Sequence, residues 1–132
     1  FEAGHGRVAR AAGAGAGRQR SLANYLDRYL SLRVRDDMAK GCPLVSTACE
    51  TARQGEAVSR SYADAFAELR AGVMATLPEE TAPAERAALA STVVAALVGA
   101  MAISRGMAKA DRAEADAVLA PVRGVLEGLA AR

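Results

Sequence analysis

A chain of 132 residues, 52% of them hydrophobic, is long enough for one domain with a modest core. A formal net charge of +2 is too small to attract a polyanion through bulk charge. Three Tyr, two Phe and no Trp supply few bulky side chains, and with alanine abundant the composition points to closely packed helices.

Residues 1–12 form at best a weak helix, since Gly4 and Gly6 interrupt it, and Gly13-Ala14-Gly15-Ala16-Gly17 reads as a flexible linker. Residues 1–35 carry seven arginines against Glu2 and Asp27, so the remainder is net negative. That excess is a solvated arginine-rich face, or else this end lies beside something bound to phosphate. A helix then runs over about residues 18–32 with Leu22, Tyr25, Leu26, Tyr29 and Leu30 on one stripe. A loop carrying Arg33, Arg35, Asp36 and Asp37 follows.

Pro43 suits the first position of the next helix, because its missing N–H would be unpaired there anyway. That helix spans about 43–54, buries Leu44, Val45, Ala48, Cys49 and Ala52, and stops at Gly55. Another covers about 56–77, with Val58, Tyr62, Phe66, Leu69, Val73 and Leu77 inward. Pro78 ends it, and residues 79–83 turn into a new N-terminus.

Eighteen uncharged residues between Arg86 and Arg105 are long enough to raise the question of a membrane span. They are mostly Ala, Gly, Ser and Thr, which insert poorly, so a fully covered central helix of a soluble domain is expected over about 84–107. Small residues at four-residue spacing, Ala88, Thr92, Ala96 and Ala100, form a groove for another helix. The last helix, about 111–130, opens with Asp111 and Glu114 in a capping-box arrangement. Val118, Val122, Val125, Leu126 and Leu129 repeat along it, and Pro121 should bend it. No segment has strand periodicity. The fold class is all-α, a bundle of five to six helices.

The chemistry of an enzyme is not visible. His5 is the only histidine and lies in the weak N-terminal segment, so it offers no base to a core Ser or Cys. Asp36-Asp37 and Glu79-Glu80 read as loop pairs, and two cysteines with one remote His cannot close a metal site. No cofactor is implied. On one continuous helix Cys42 and Cys49 would stand about 10 Å apart, beyond disulfide reach. No signal-peptide pattern is present, so a reducing cytoplasm is the expected compartment. Cys42 precedes the helix that Pro43 opens. It is either a small apolar turn residue or a redox sensor activated by the helix dipole. Tyr25, Tyr29, Tyr62 and Phe66 make either ordinary core or the wall of a ligand cavity. A domain poor in bulky residues has difficulty filling the space between its helices, and buried tyrosines need partners for their hydroxyls.

The run Tyr29-Leu30-Ser31, Arg35-Asp36-Asp37 and Gly41-Cys42-Pro43-Leu44 resembles the start of the C-terminal regulatory domain of TetR/AcrR-type transcriptional repressors. The resemblance implies a ligand-binding and dimerisation domain with no catalytic or membrane role, whose last two helices form a dimeric four-helix bundle with those of a second copy. Operator DNA would be contacted only through an N-terminal helix-turn-helix domain, which these residues lack. The expected ligand wall is Tyr25, Tyr29, Cys49, Tyr62, Phe66, Leu97 and Met101. The expected homodimer seam is Ala96, Gly99, Ala100, Val118, Val122, Val125 and Leu129. Residues 18–77 would hold the ligand and 84–131 the dimer contact, with 1–17 as weak helix and linker. The alternatives are a helical dimerisation module without a ligand, and a thiol-based redox sensor acting through Cys42.

Overall fold

The computed structural model describes residues 18–37 and 42–130; the N-terminal segment with its Gly-Ala linker and His5 lies outside them. Helices follow in the order α1 (Arg18–Tyr29), α2 (Leu32–Asp36), α3 (Pro43–Ser46), α4 (Ala48–Thr51), α5 (Glu56–Met74), α6 (Pro83–Met107) and α7 (Arg112–Ala130). No strand occurs among the described residues, and the all-α expectation holds.

Two of the expected boundaries shift for a common reason, a hydroxyl competing for the backbone. The helix expected to reach residue 32 ends at Tyr29. Ser31 is extended there, and its Oγ accepts the N–H of Val34 at 3.2 Å, which caps a new short helix where a loop was expected. The helix expected over 43–54 breaks at Thr47 into two single turns. Thr47 Oγ1 donates to the Pro43 carbonyl at 2.6 Å, the back-bonding that bends helices. Beyond the break Ala48, Cys49 and Ala52 face solvent, so the expected burial of all three is corrected. Val58, in the first turn of α5, is likewise exposed rather than inward.

The core lies where α5 and α7 pack on α6, with α1, α2 and α3 closing its sides. Its inner layer is Leu22, Leu26 and Leu30 of α1 and its end, Leu69 and Val73 of α5, Val93, Val94, Leu97 and Met101 of α6, and Leu119 and Leu126 of α7. Arg86 joins α5 to α6 by donating to the carbonyls of Met74, Leu77 and Pro78 at 3.1, 3.2 and 2.6 Å, which satisfies acceptors left open at a helix end. Helix α6 has the length and composition to cross a membrane. It is not covered all round, as expected of a central helix: one face is buried, while Thr92, Ala95, Ala102 and Gly106 are exposed. At the start of α7, Asp111 Oδ1 accepts the Glu114 N–H at 3.0 Å, the cap expected there. The helix continues through Pro121, which sits on its exposed side.

Arg35 of α2 does not belong to a solvated charge run; it is 1% exposed. Its Nη1 donates to Ser104 Oγ of α6 at 3.3 Å and to the Asp116 carboxylate of α7, and Nε donates to Asp36 at 3.2 Å. Ser104 Oγ in turn donates to the Ala115 carbonyl at 2.7 Å. Arg112 meets the other oxygen of Asp36 at 2.7 Å. The hydrogen bond from Arg35, then the one from Arg112, hold the Asp36 carboxyl below its ordinary range. Burial opposes the charge on Arg35, but its bonds to Asp116 and Asp36 outweigh that and raise its pKa.

Removing one partner of a buried pair leaves a charge in low dielectric, whereas replacing the ion by an apolar side chain of similar length does not. Asp116→Ala should therefore cost about 3 kcal/mol, and Arg35→Met much less, when urea unfolding is followed by circular dichroism. Equal losses in the two variants would contradict this account.

Candidate functional site

Tyrosines from α1 and α5 converge on the turn that opens α3. The rings of Tyr25 and Tyr29 stand 5.9 Å apart, tilted by 32°. Tyr62 Oη donates to the Leu44 carbonyl at 2.6 Å, tying α5 to α3. Leu97 and Met101, one turn apart on α6, are buried in the same core, against which Tyr25, Tyr62 and Phe66 pack half-buried. Arg70 covers the open face of Phe66, its guanidinium carbon 5.2 Å from the ring centre. Of the seven residues expected at a ligand wall, six lie in the domain's core or pack against it. The seventh, Cys49, is exposed.

Of the two cysteines, Cys42 is the buried one. It is buried in the core with Tyr29, and its thiol acts electrostatically on all three phenols. Burial first, and Cys42 second, raise the pKa of Tyr25, Tyr29 and Tyr62, so each is a protonated donor at neutral pH. The helix that Cys42 precedes is a single turn, so little dipole acts on the thiol. Its sulfur is buried rather than open to solvent.

Arg105, in the sequence only a charge flanking the apolar stretch, completes the surroundings. It reaches from α6 to the C-terminal end of α2, donating from Nε to the Arg35 carbonyl at 3.0 Å and from Nη2 to the Val34 carbonyl at 2.9 Å. Among the described residues, three buried side-chain atoms make no hydrogen bond of good geometry: Tyr29 Oη, which lies beside the Cys42 thiol, Arg105 Nη1 and Arg35 Nη2. No group of three His, Cys, Asp or Glu able to hold a metal ion occurs among the described residues.

Residues 20–115 match the family described as the C-terminal domain of LmrA/YxaF-like transcriptional regulators. The chain belongs to this TetR-type family. No curated protein and no solved structure matches it. In this TetR-type regulatory domain, the outer surfaces of α6 and α7 are rich in small residues. On α6, Thr92, Ala95, Ala102 and Gly106 are exposed and Ala96 and Gly99 half-buried, with Ile103 57% exposed at the edge. Ala100, expected at the seam, is instead only 5% exposed and belongs to the domain's own core. On α7, Val118, Val122 and Leu129 are half-buried against that core, and Val125 is 63% exposed. A side chain added at Gly99, Gly106, Gly124 or Gly128 would meet nothing within 4 Å in the single chain.

Tyr62 and Tyr29 separate by mutation. Tyr62→Phe leaves the Leu44 carbonyl without its donor and should cost about 1 kcal/mol. Tyr29→Phe removes a buried hydroxyl whose one side-chain neighbour is the weakly bonding Cys42 thiol, and should be close to neutral in the free chain. Urea unfolding of both variants checks the contrast, and a large loss from Tyr29→Phe would contradict it.

Proposed function

We propose that this chain is the effector-sensing and dimerisation domain of a TetR-type transcriptional repressor, in which a small apolar or aromatic ligand releases the protein from operator DNA. One observation carries the sensing half: Tyr29 is buried beside Tyr25 and the Cys42 thiol, with no oxygen or nitrogen acceptor for its hydroxyl. A module that only dimerises has no reason to keep a buried donor unsatisfied at the expense of its own stability. Residues 18–77 hold the ligand on this reading, and those of α6 and α7 hold the partner. The ligand acts only through its different affinity for the DNA-bound and released states. DNA is contacted through a helix-turn-helix domain N-terminal to these residues, in a cytoplasmic protein without catalytic activity of its own.

Dimerisation on α6 and α7 is supported by the apolar side chains left open there, Ile103 and Val125, and by the glycines that leave room for a second backbone. The expected assembly is a two-fold homodimer with Ala96, Gly99, Val118, Val122, Val125 and Leu129 at or beside the seam.

A ligand that binds only the folded state raises the melting temperature by mass action, so thermal shift against a panel of small apolar and aromatic compounds should find concentration-dependent stabilisers. A panel without a single stabiliser would leave the dimerisation module as the better reading. For the dimer, Val125→Asp should leave the single chain folded, because the site is open there. It should weaken self-association about thirtyfold or more, the effect of an unpaired charge at a closed interface. Sedimentation equilibrium reads this directly, and a wild-type monomer at micromolar concentration would refute the dimer.

A further inference from the structure

Helix α2 is held by polar bonds rather than by apolar burial. The one side chain it buries is a charge, Arg35, while Leu32 is 47% exposed and Val34 packs half-buried against the core. Its ties to α6 and α7 run from Arg35 to Ser104 and Asp116, from the Arg105 guanidinium to the Val34 and Arg35 carbonyls, and from Arg112 to Asp36. Five residues are too few to hold a helix in isolation, so docking and helix formation are one event.

Detaching such a segment differs in kind from unfolding an apolar helix. Little apolar surface enters water, and the Arg35 charge regains its hydration, which offsets part of the loss of its bonds. Leu22, Leu26 and Leu30 hold α1 and its end in the core without α2, and Leu44 does the same for α3. Charge order fixes how the segment returns. Arg112 and Asp116 are one turn apart on α7 and meet Asp36 and Arg35 with opposite signs, so a shift of one turn along α7 brings like charges together.

We propose that α2 is a latch that opens as one unit while α1, α5, α6 and α7 remain folded. Closed, it ties the end of α1 to one end of both long helices. Open, it releases Ser104, Arg105, Arg112 and Asp116 there, while α1 stays on α7 through core packing and the Asp27–Arg123 pair. The latch goes beyond the effector and dimer readings and depends on neither.

Native-state hydrogen exchange on the 132-residue chain, followed amide by amide at low urea concentrations, tests this. The amides of Val34, Arg35 and Asp37, bonded to Ser31 and Arg33, report the latch. Those of Leu97 and Met101 in α6 report the core. The latch amides should exchange together, about a hundredfold or more faster than the core amides and with little dependence on urea, because little surface is exposed. Asp116→Asn should speed them about tenfold, the effect of weakening a hydrogen bond between charged groups. Leu69→Ala, which leaves a cavity in the core, should speed the core amides about tenfold or more and leave the latch amides within about twofold. Latch amides that follow the core amides, in urea and in Leu69→Ala, would overturn the proposal, since α2 would then open only when the domain unfolds. Latch amides as fast as those of an unstructured peptide, or unmoved in Asp116→Asn, would overturn it equally. If Leu69→Ala does not fold, the urea dependence of the wild-type amides decides the question.

Discussion

The guanidinium of Arg35 is the constraint around which residues 18–37 are organised. A charge taken out of water is tolerable only when each bond it makes is fixed, and here those bonds run to three different elements. Asp36 lies on its own short helix, Ser104 on α6 and Asp116 on α7. Helix α2 is too short to persist alone. It exists because Ser31 caps its start, Arg105 caps its end, and Arg35 anchors its middle. The position of α2 in turn sets where the chain leaves α1, and so where Tyr25 and Tyr29 are presented. Further along, the ion pair of Asp27 with Arg123 at 2.8 Å joins α1 to the far half of α7. That pair is solvent-exposed and contributes little by comparison.

Much of this architecture was legible because apolar periodicity survives folding wherever a helix has a partner. Leu22, Leu26 and Leu30, and then Val93, Leu97 and Met101, recur at helical spacing, and all are buried. The pattern failed where partners run out. Cys49 and Val58 continue the apolar stripes of their segments, yet nothing packs over α4 and the start of α5 at those positions, and both are exposed. Periodicity identifies a face but not what covers it. Breaks at Ser31 and Thr47 each turn on a single hydroxyl choosing the backbone, a choice that helix propensity barely resolves.

The buried arginines were beyond local reading for a different reason. Arg33, Arg35, Asp36 and Asp37 look like any solvated charge run, and only one of them is buried. What decides between them are Ser104 and Asp116, which lie 69 and 81 residues away along the chain. The same holds for the site. Six of the seven residues expected at a ligand wall pack in or against the core, whereas Cys49 is exposed and Cys42 is the buried thiol. Cys42 lies at a turn, and a turn residue carries no periodic signal of its burial.

The long apolar helix illustrates how one composition serves two surfaces. Leu97, Met101 and the valines of α6 fill the inner face. The opposite face carries Thr92, Ala95, Ala102 and Gly106, too small to bury much area but shaped for close approach. Small side chains there leave room for another backbone to come near. On the other side, Arg105 orients the end of α2 while Arg35 secures α2 to α7, so this short helix ties α6 and α7 to the end of α1 through a few buried bonds. Rigid elements joined in that way shift between discrete arrangements rather than deforming gradually.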